Sequence, residues 1–562
     1  MGDHRSLIVI GLLAAALSAP ALAAPRVVTL GADATGDKDP ITSCGSLAAS
    51  PYETTWEGHG LKDTEIFLDG AMSTCEAALA AAPDSIEIKA WLGRVYRLVG
   101  RYKDAARLLQ EAADSSSLLG IYELSVLKST PMIDGGDDAQ AVALLRQAAQ
   151  EEFVPALDDL AKRYENGTGV DRNPDEALRL YRKAADKGDG LALYKVGTAY
   201  QNGAGVKQDF GKARSFFQKA VDAGEPKGYA GLGGLYQNGQ GVETDNTKAA
   251  ELYQKGADQT EPQSETALAY LYEQGLGVEQ SYEKSFALLS DAANQNDGFG
   301  QAALALHYLF GQGVEVDMVK AQNLAFAAQQ KQVAYANGIL GYIYAEGLGT
   351  ERDLSSALNY FQLGSDAGDE YSAKRLQVTK LEVACQDAAG SPYEPGGVGH
   401  GVEFSAIDPD SAASTCQAAL DANPESIGDK VWLGRVFLKA KRFGDALPLL
   451  KLGADKGNVL AQATYADLLL NGVGVDADPA AAIKLYEVAA EKSYAPAQYA
   501  LGTVYAEGAG VEADPVQAAA WFKRALNNGL EKAREQLASL EGQDESAVSF
   551  DMTGFGREGP AY

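Results

Sequence analysis

The chain has 562 residues, 46% of them hydrophobic, with 61 Gly, 19 Pro and a formal charge of −29. The apolar fraction excludes wholesale disorder, and the lack of a three-residue Gly period excludes collagen. The acidic balance argues against nucleic acid as a partner, because phosphate contacts need clustered Lys and Arg. At an average usage of roughly 7%, about 39 Gly are expected, so about 22 need a reason.

Met1–Arg5 is a short polar start, and Leu7–Leu17 is apolar apart from Gly11. Ala21-Leu22-Ala23 before Ala24 has the form of a cleavage site. Residues 1–23 therefore read as a cleavable export signal cut near Ala23-Ala24, and the mature product is expected in the periplasm or secreted. No Cys follows the cut and no later window is long and apolar enough to span a bilayer, so no membrane anchor is expected. Residues 24–83 form a loop-rich segment with Cys44 and Cys75. Residues 84–153 read as irregular helix-hairpin turns, with Asp134-Gly135-Gly136 standing where later turns carry Gly-x-Gly.

A period of 36 residues then takes over, with blocks starting at Val154, Gly190, Pro226, Pro262, Gly298 and Ala334. Two more blocks start at Val459 and Ala495. In the first block Leu157, Leu160, Ala161 and Tyr164 share one helical face, and Ala177, Leu180, Tyr181 and Ala184 share another. Between them stands a Gly-x-Gly pair, at 167/169, 203/205, 239/241, 275/277, 311/313, 347/349, 472/474 and 508/510. Such glycines suit a left-handed helix end and the turn after it. A capping residue then opens each second helix: Asn173, Asp209, Asp245, Ser281, Asp317, Asp353, Asp478 and Asp514. Six blocks and a closing helix fill 154–384, and two blocks with a closing helix fill 459–540. The polar stretch 541–562 is expected to be a disordered tail.

An offset of 341 superimposes Cys44 on Cys385, Cys75 on Cys416, and Gly58-His59-Gly60 on Gly399-His400-Gly401. It also places Trp91-Leu92-Gly93-Arg94-Val95 on Trp432-Leu433-Gly434-Arg435-Val436. Residues 385–424 are thus a second cap and 425–458 a second hairpin. Four Cys allow three pairings; the duplication favours Cys44–Cys75 and Cys385–Cys416, one bridge per cap.

The Leu-Gly and Tyr of the first helix, the Gly-x-Gly-Val turn, the capping Asp and the Lys-Ala/aromatic pattern of the second helix resemble the Sel-1-like repeat, a relative of the tetratricopeptide repeat. Ala334–Asp369 and Ala495–Leu530 are the clearest copies. The resemblance makes 84–153 and 425–458 tetratricopeptide-like. It implies an all-α, right-handed α-solenoid of stacked helix hairpins, here with two disulfide-capped loop-rich segments. It also implies a non-enzymatic scaffold or adaptor that binds another protein, in envelope signalling or exopolysaccharide assembly. A solenoid that binds polysaccharide or cell-wall glycan is the alternative.

Chemistry-bearing motifs are scarce. The four His are His4, His59, His307 and His400, with no metal-binding spacing and no phosphate loop, so no catalytic residue, metal or cofactor is expected. The face of the first helix away from its Leu/Tyr stripe carries Tyr194, Tyr270 and Tyr342, with His307 beside it. Aromatics dominate binding hot spots, so these four are the candidate partner contacts. The expected partner is an envelope or periplasmic protein.

Overall fold

A computed structural model describes residues 40–53, 60–130, 137–395 and 399–548. The expected export signal, His59, Asp134-Gly135-Gly136 and the last residues of the expected tail lie outside them. Contacts divide the chain into two compact units, whose described residues are 40–316 and 317–548. Every regular element among the described residues is helical, and consecutive helices pack as antiparallel neighbours along each unit.

The second repeat shows how a block folds. Asp189 accepts from the Ala192 amide and opens a first helix, Gly190–Asn202. Gly203 ends it in the left-handed conformation (φ 70°). Asp209 then accepts from the Lys212 amide at 2.9 Å and opens the second helix, Phe210–Asp222. All eight predicted capping residues bond the third amide of their helix in this way, at 2.9–3.2 Å. Each such cap is worth about 1 kcal/mol.

The two glycines of the turn have different tasks. The first supplies a positive φ in open space: a Cβ on Gly275 would meet nothing closer than 3.4 Å. The second also lets backbones touch: a Cβ on Gly277 would lie 2.3 Å from the Asn246 carbonyl carbon at the start of the preceding second helix. The turn leaving each second helix also uses positive φ, but Glu152, Thr260, Asn296, Gln332 and Ser493 serve there as well as Gly188. Nothing lies within 4 Å of a Cβ at Gly188, so only conformational strain of about 1 kcal/mol opposes a side chain.

Packing within a block centres on the small residue of the first helix. A Cβ on Gly197 would sit 2.7 Å from the fully buried Phe217 ring, and one on Gly341 or Gly502 would sit 2.6 Å from Phe361 or Phe522. Each ring buries apolar surface worth about 1.5–3 kcal/mol against the hole that glycine leaves. The duplicated hairpins solve the same crossing in mirror fashion. Ala112 meets Gly120 in the first copy, whereas Gly453 meets Ala461 in the second. One methyl group occupies the crossing in both.

Two boundaries differ from the expectation. The closing helix of the first array and the helix that carries Cys385 are one element, Glu370–Ala389, so the predicted border between 384 and 385 falls inside a helix. No Gly or Pro interrupts that stretch, and helix continues by default. At the other end, the helix Ala533–Val548 runs into the segment expected to be a disordered tail.

Candidate partner-binding site

Both caps are built on one frame. Cys44–Cys75 and Cys385–Cys416 are disulfide-bonded. Glu53 accepts from the Trp91 indole at 3.0 Å and Glu394 from the Trp432 indole at 3.0 Å. The same carboxylates take the Ser50 and Ser391 amides at 2.7 and 2.8 Å. Burial raises both carboxyls, and these hydrogen bonds oppose the rise. Arg94 reaches the Ala48 and Leu61 carbonyls, as Arg435 reaches those of Ala389 and Val402. The buried arginine thus stitches the cap loop onto the first hairpin.

The frames carry different fillings. In the first cap Arg94 meets Asp63 at 2.6 Å and Glu123 at 3.3 Å, and Arg97 completes the network on the same two carboxylates. Burial alone would raise Asp63, but Arg97 and Arg94 outweigh it and hold its carboxyl below the usual range. Tyr122 donates to Asp159 at 3.0 Å, and its ring lies 5.8 Å from that of Phe153. In the second cap a cavity of about 750 Å³ opens beside Arg435. Four cationic side chains reach it: Arg435, Lys439, Lys441 and Lys532. Two carboxylates face them. Glu403 accepts from Tyr393 at 3.0 Å, and Asp467 accepts from Tyr486 at 2.6 Å. Desolvation pushes the Asp467 carboxyl up to about 6, opposed by the Tyr486 hydrogen bond and by Lys532.

The Gly399-His400-Gly401 turn has a structural partner. His400 Nδ1 lies 2.6 Å from Asp387 and Nε2 lies 2.7 Å from Ser355, at the start of the Leu354–Asp366 helix. The order Ser–His–Asp looks catalytic. However, Ser355 is exposed and Asp387 is 53% exposed, and in water such a chain positions groups without strong electrostatic leverage. The contacts pin the cap turn to that helix.

The predicted partner contacts separate on burial. His307 is 1% exposed, bonded to the Gln312 carbonyl at 2.6 Å, Glu273 at 2.9 Å and Ser285 at 3.1 Å. It locks one repeat to the preceding one and is not available to a partner. A first helix is packed on both flanks, so the face away from its stripe is not automatically free. Tyr194, Tyr270 and Tyr342 are half-buried. Tyr194 packs 5.7 Å from the Phe217 ring, and its hydroxyl reaches Gln263 two repeats on at 3.2 Å. Burial, then Glu273, raises the Tyr270 hydroxyl. Beside the first cap, burial and the neighbouring Asp189 and Asp159 push Asp158 up to about 9, so it is protonated at neutral pH. No cluster of three or more His, Cys, Asp or Glu able to hold a metal occurs among the described residues. No helix among them is long and apolar enough to cross a membrane.

Two-helix hairpins closed by Gly-x-Gly turns and stacked on their neighbours define an α-solenoid repeat protein. The Sel1 repeat pattern matches residues 119–152, 154–189, 190–225, 226–260, 262–297, 298–328, 334–369, 459–494 and 495–530, more than half of the chain. The chain belongs to the Sel1 repeat family. The match at 119–152 makes the irregular turn there a repeat, the ninth. Repeats of this family and their tetratricopeptide relatives generally mediate protein–protein contacts, and the fold is typically a non-catalytic scaffold.

Among solved structures, c5321, a protective antigen present in uropathogenic Escherichia coli strains and displaying an SLR fold, is 27% identical, with a TM-score of 0.40. The match covers 81% of this chain and 99% of that one. A Sel1 repeat protein from Oxalobacter formigenes is 24% identical over 44% of this chain and 98% of its own, with a TM-score of 0.40. The TPR domain of P58(IPK) is 14% identical over 82% of this chain and 99% of its own, with a TM-score of 0.35. No curated protein matches.

Proposed function

We propose that the protein is an exported, non-enzymatic scaffold that holds a partner protein of the cell envelope on its repeat surface, in envelope signalling or exopolysaccharide assembly. The carrying observation is the first-helix face of the repeats, which bears the half-buried Tyr194 and Tyr270 in one unit and the half-buried Tyr342 in the other. Such aromatics contribute large contact area at low entropic cost. Export is supported by the apolar run Leu7–Leu17 with its Ala21-Leu22-Ala23 site, and by two disulfides, which persist in oxidising compartments.

The test is affinity capture from the extracytoplasmic fraction, followed by titration of the purified partner against the wild type and Tyr194→Ala, Tyr270→Ala and Tyr342→Ala. One enriched envelope protein, bound about tenfold more weakly by at least one variant, supports the reading. Recovery of no protein, with retention on a glycan array, would replace it with the glycan-binding alternative.

A further inference from the structure

The first cap shows how the arginine of this frame is satisfied, and the second lacks the same groups. With the offset of 341, Asp63 becomes Phe404, Glu123 becomes Thr464, Arg97 becomes Leu438 and Tyr122 becomes Ala463. Both carboxylates that hold Arg94 are therefore gone around Arg435, and the loss of the Tyr122 and Glu123 side chains leaves room. What remains is the cavity of about 750 Å³. Arg435 is 5% exposed, keeps its two carbonyl bonds, and has no carboxylate within 4.0 Å among the described residues. Phe404, 38% exposed, lies 5.7 Å from its guanidinium.

A buried cation with no carboxylate in contact is costly, because removing the close partner of such a pair leaves much of its desolvation uncompensated. Glu394 and Glu403 act on Arg435 from beyond contact distance and offset its burial only in part, so the guanidinium stays below its usual range; Glu394 is already held by Trp432 and Ser391, and Glu403 by Tyr393. Lys439, Lys441 and Lys532 add positive potential at the rim. The chain's net charge of −29 does not oppose a local anion site, since exposed charges are screened beyond about 8 Å at physiological salt.

We propose that this cavity binds an acidic side chain, Asp or Glu with an apolar neighbour, presented by an extended segment of the partner protein. The proposal rests on the scaffold reading above and names where and by what chemistry the partner is gripped. The carboxylate takes the place that Asp63 and Glu123 hold in the first cap. The apolar neighbour lies on Phe404 and Leu438. A peptide carboxylate is favoured because the internal copy fills the same position with amino-acid side chains.

The experiment uses the full chain and a fluorescein-labelled Leu-Glu-Ala-Leu-Asp-Phe peptide, with the Gln/Asn peptide as control, followed by anisotropy. The acidic peptide is expected to bind at least about tenfold more tightly, as a charge-assisted hydrogen bond to a buried arginine implies. Phe404→Asp with Thr464→Glu rebuilds the first cap's carboxylates and is expected to abolish that preference while the helical spectrum and both disulfides persist. Should that double variant fail to fold, Lys439→Gln with Lys532→Gln, both at the rim, is expected to weaken binding several-fold. Equal affinity for the two peptides, or full binding by the refilled or neutralised variant, overturns the proposal. A partner captured equally by wild type and refilled chain overturns the site and leaves the scaffold reading standing. If the wild type captures no protein, the scaffold reading falls and the peptide titration alone decides the cavity.

Discussion

The two caps share one frame and differ in what fills it. Disulfide, Glu–Trp clasp and Arg–carbonyl stitch recur residue for residue, whereas the surroundings of the arginine do not. Around Arg94 the chain supplies Asp63, Glu123 and Arg97, and the arginine is paired. Around Arg435 it supplies Phe404, Thr464 and Leu438, and the site is open. A second contrast lies beneath the caps. Asp429, fully buried with no hydrogen-bond partner on either oxygen among the described residues, occupies the position of Ile88 in the first copy.

The largest expected effect breaks the paired site. Glu123→Gln leaves Arg94 and Arg97 short of a buried counter-charge and should cost about 3–5 kcal/mol in urea unfolding. Thr464→Gln, at the equivalent place in the open cap, should stay within about 0.5 kcal/mol. The second test addresses the shared frame. Cys75→Ser and Cys416→Ser each open a loop between cysteines 31 apart, and each should lose about 3–4 kcal/mol. Clearly unequal losses would show that the frames are not equivalent.

The third concerns Asp429. Burial, then Glu382, pushes its carboxyl from an ordinary 3.8 up to about 7, with Arg352 and Ser426 opposing. The folded state therefore binds this proton more tightly than the unfolded chain does. The penalty is absent below the unfolded pKa, grows as pH rises, and is complete above about 7. Asp429→Asn should match the wild type in acid and exceed it by about 2–4 kcal/mol above neutrality, read as unfolding midpoints across pH. The smallest effect belongs to the turn. His400→Ala should release the Ser355 and Asp387 contacts at about 1 kcal/mol, visible as faster amide exchange at Val402 with little change in global stability.

Much of the fold was readable because its determinants are local. Gly-x-Gly followed by an Asx or Ser cap fixes a turn within a few residues, and all eight caps form as the spacing predicts. The disulfides were readable because the chain repeats itself at 341 residues. The site was not. His307 looked presentable on a helical wheel, but Glu273 and Ser285 of the preceding repeat bury it, and a wheel contains no neighbours. Arg435 stood out only as half of a repeated Trp-Leu-Gly-Arg-Val motif. Its missing carboxylates lie 31 residues before it and 29 after it, at Phe404 and Thr464. The same offset, applied position by position beyond the motif, would have revealed them.

The central claim is that the cavity beside Arg435 is the vacated form of the Arg94 site. The most direct measurement is the unfolding free energy and crystal structure of the Phe404→Asp/Thr464→Glu chain. If the claim holds, both new carboxylates settle on Arg435 and stability rises by about 1–3 kcal/mol. A chain that is less stable, with the new carboxylates turned away from Arg435, contradicts it.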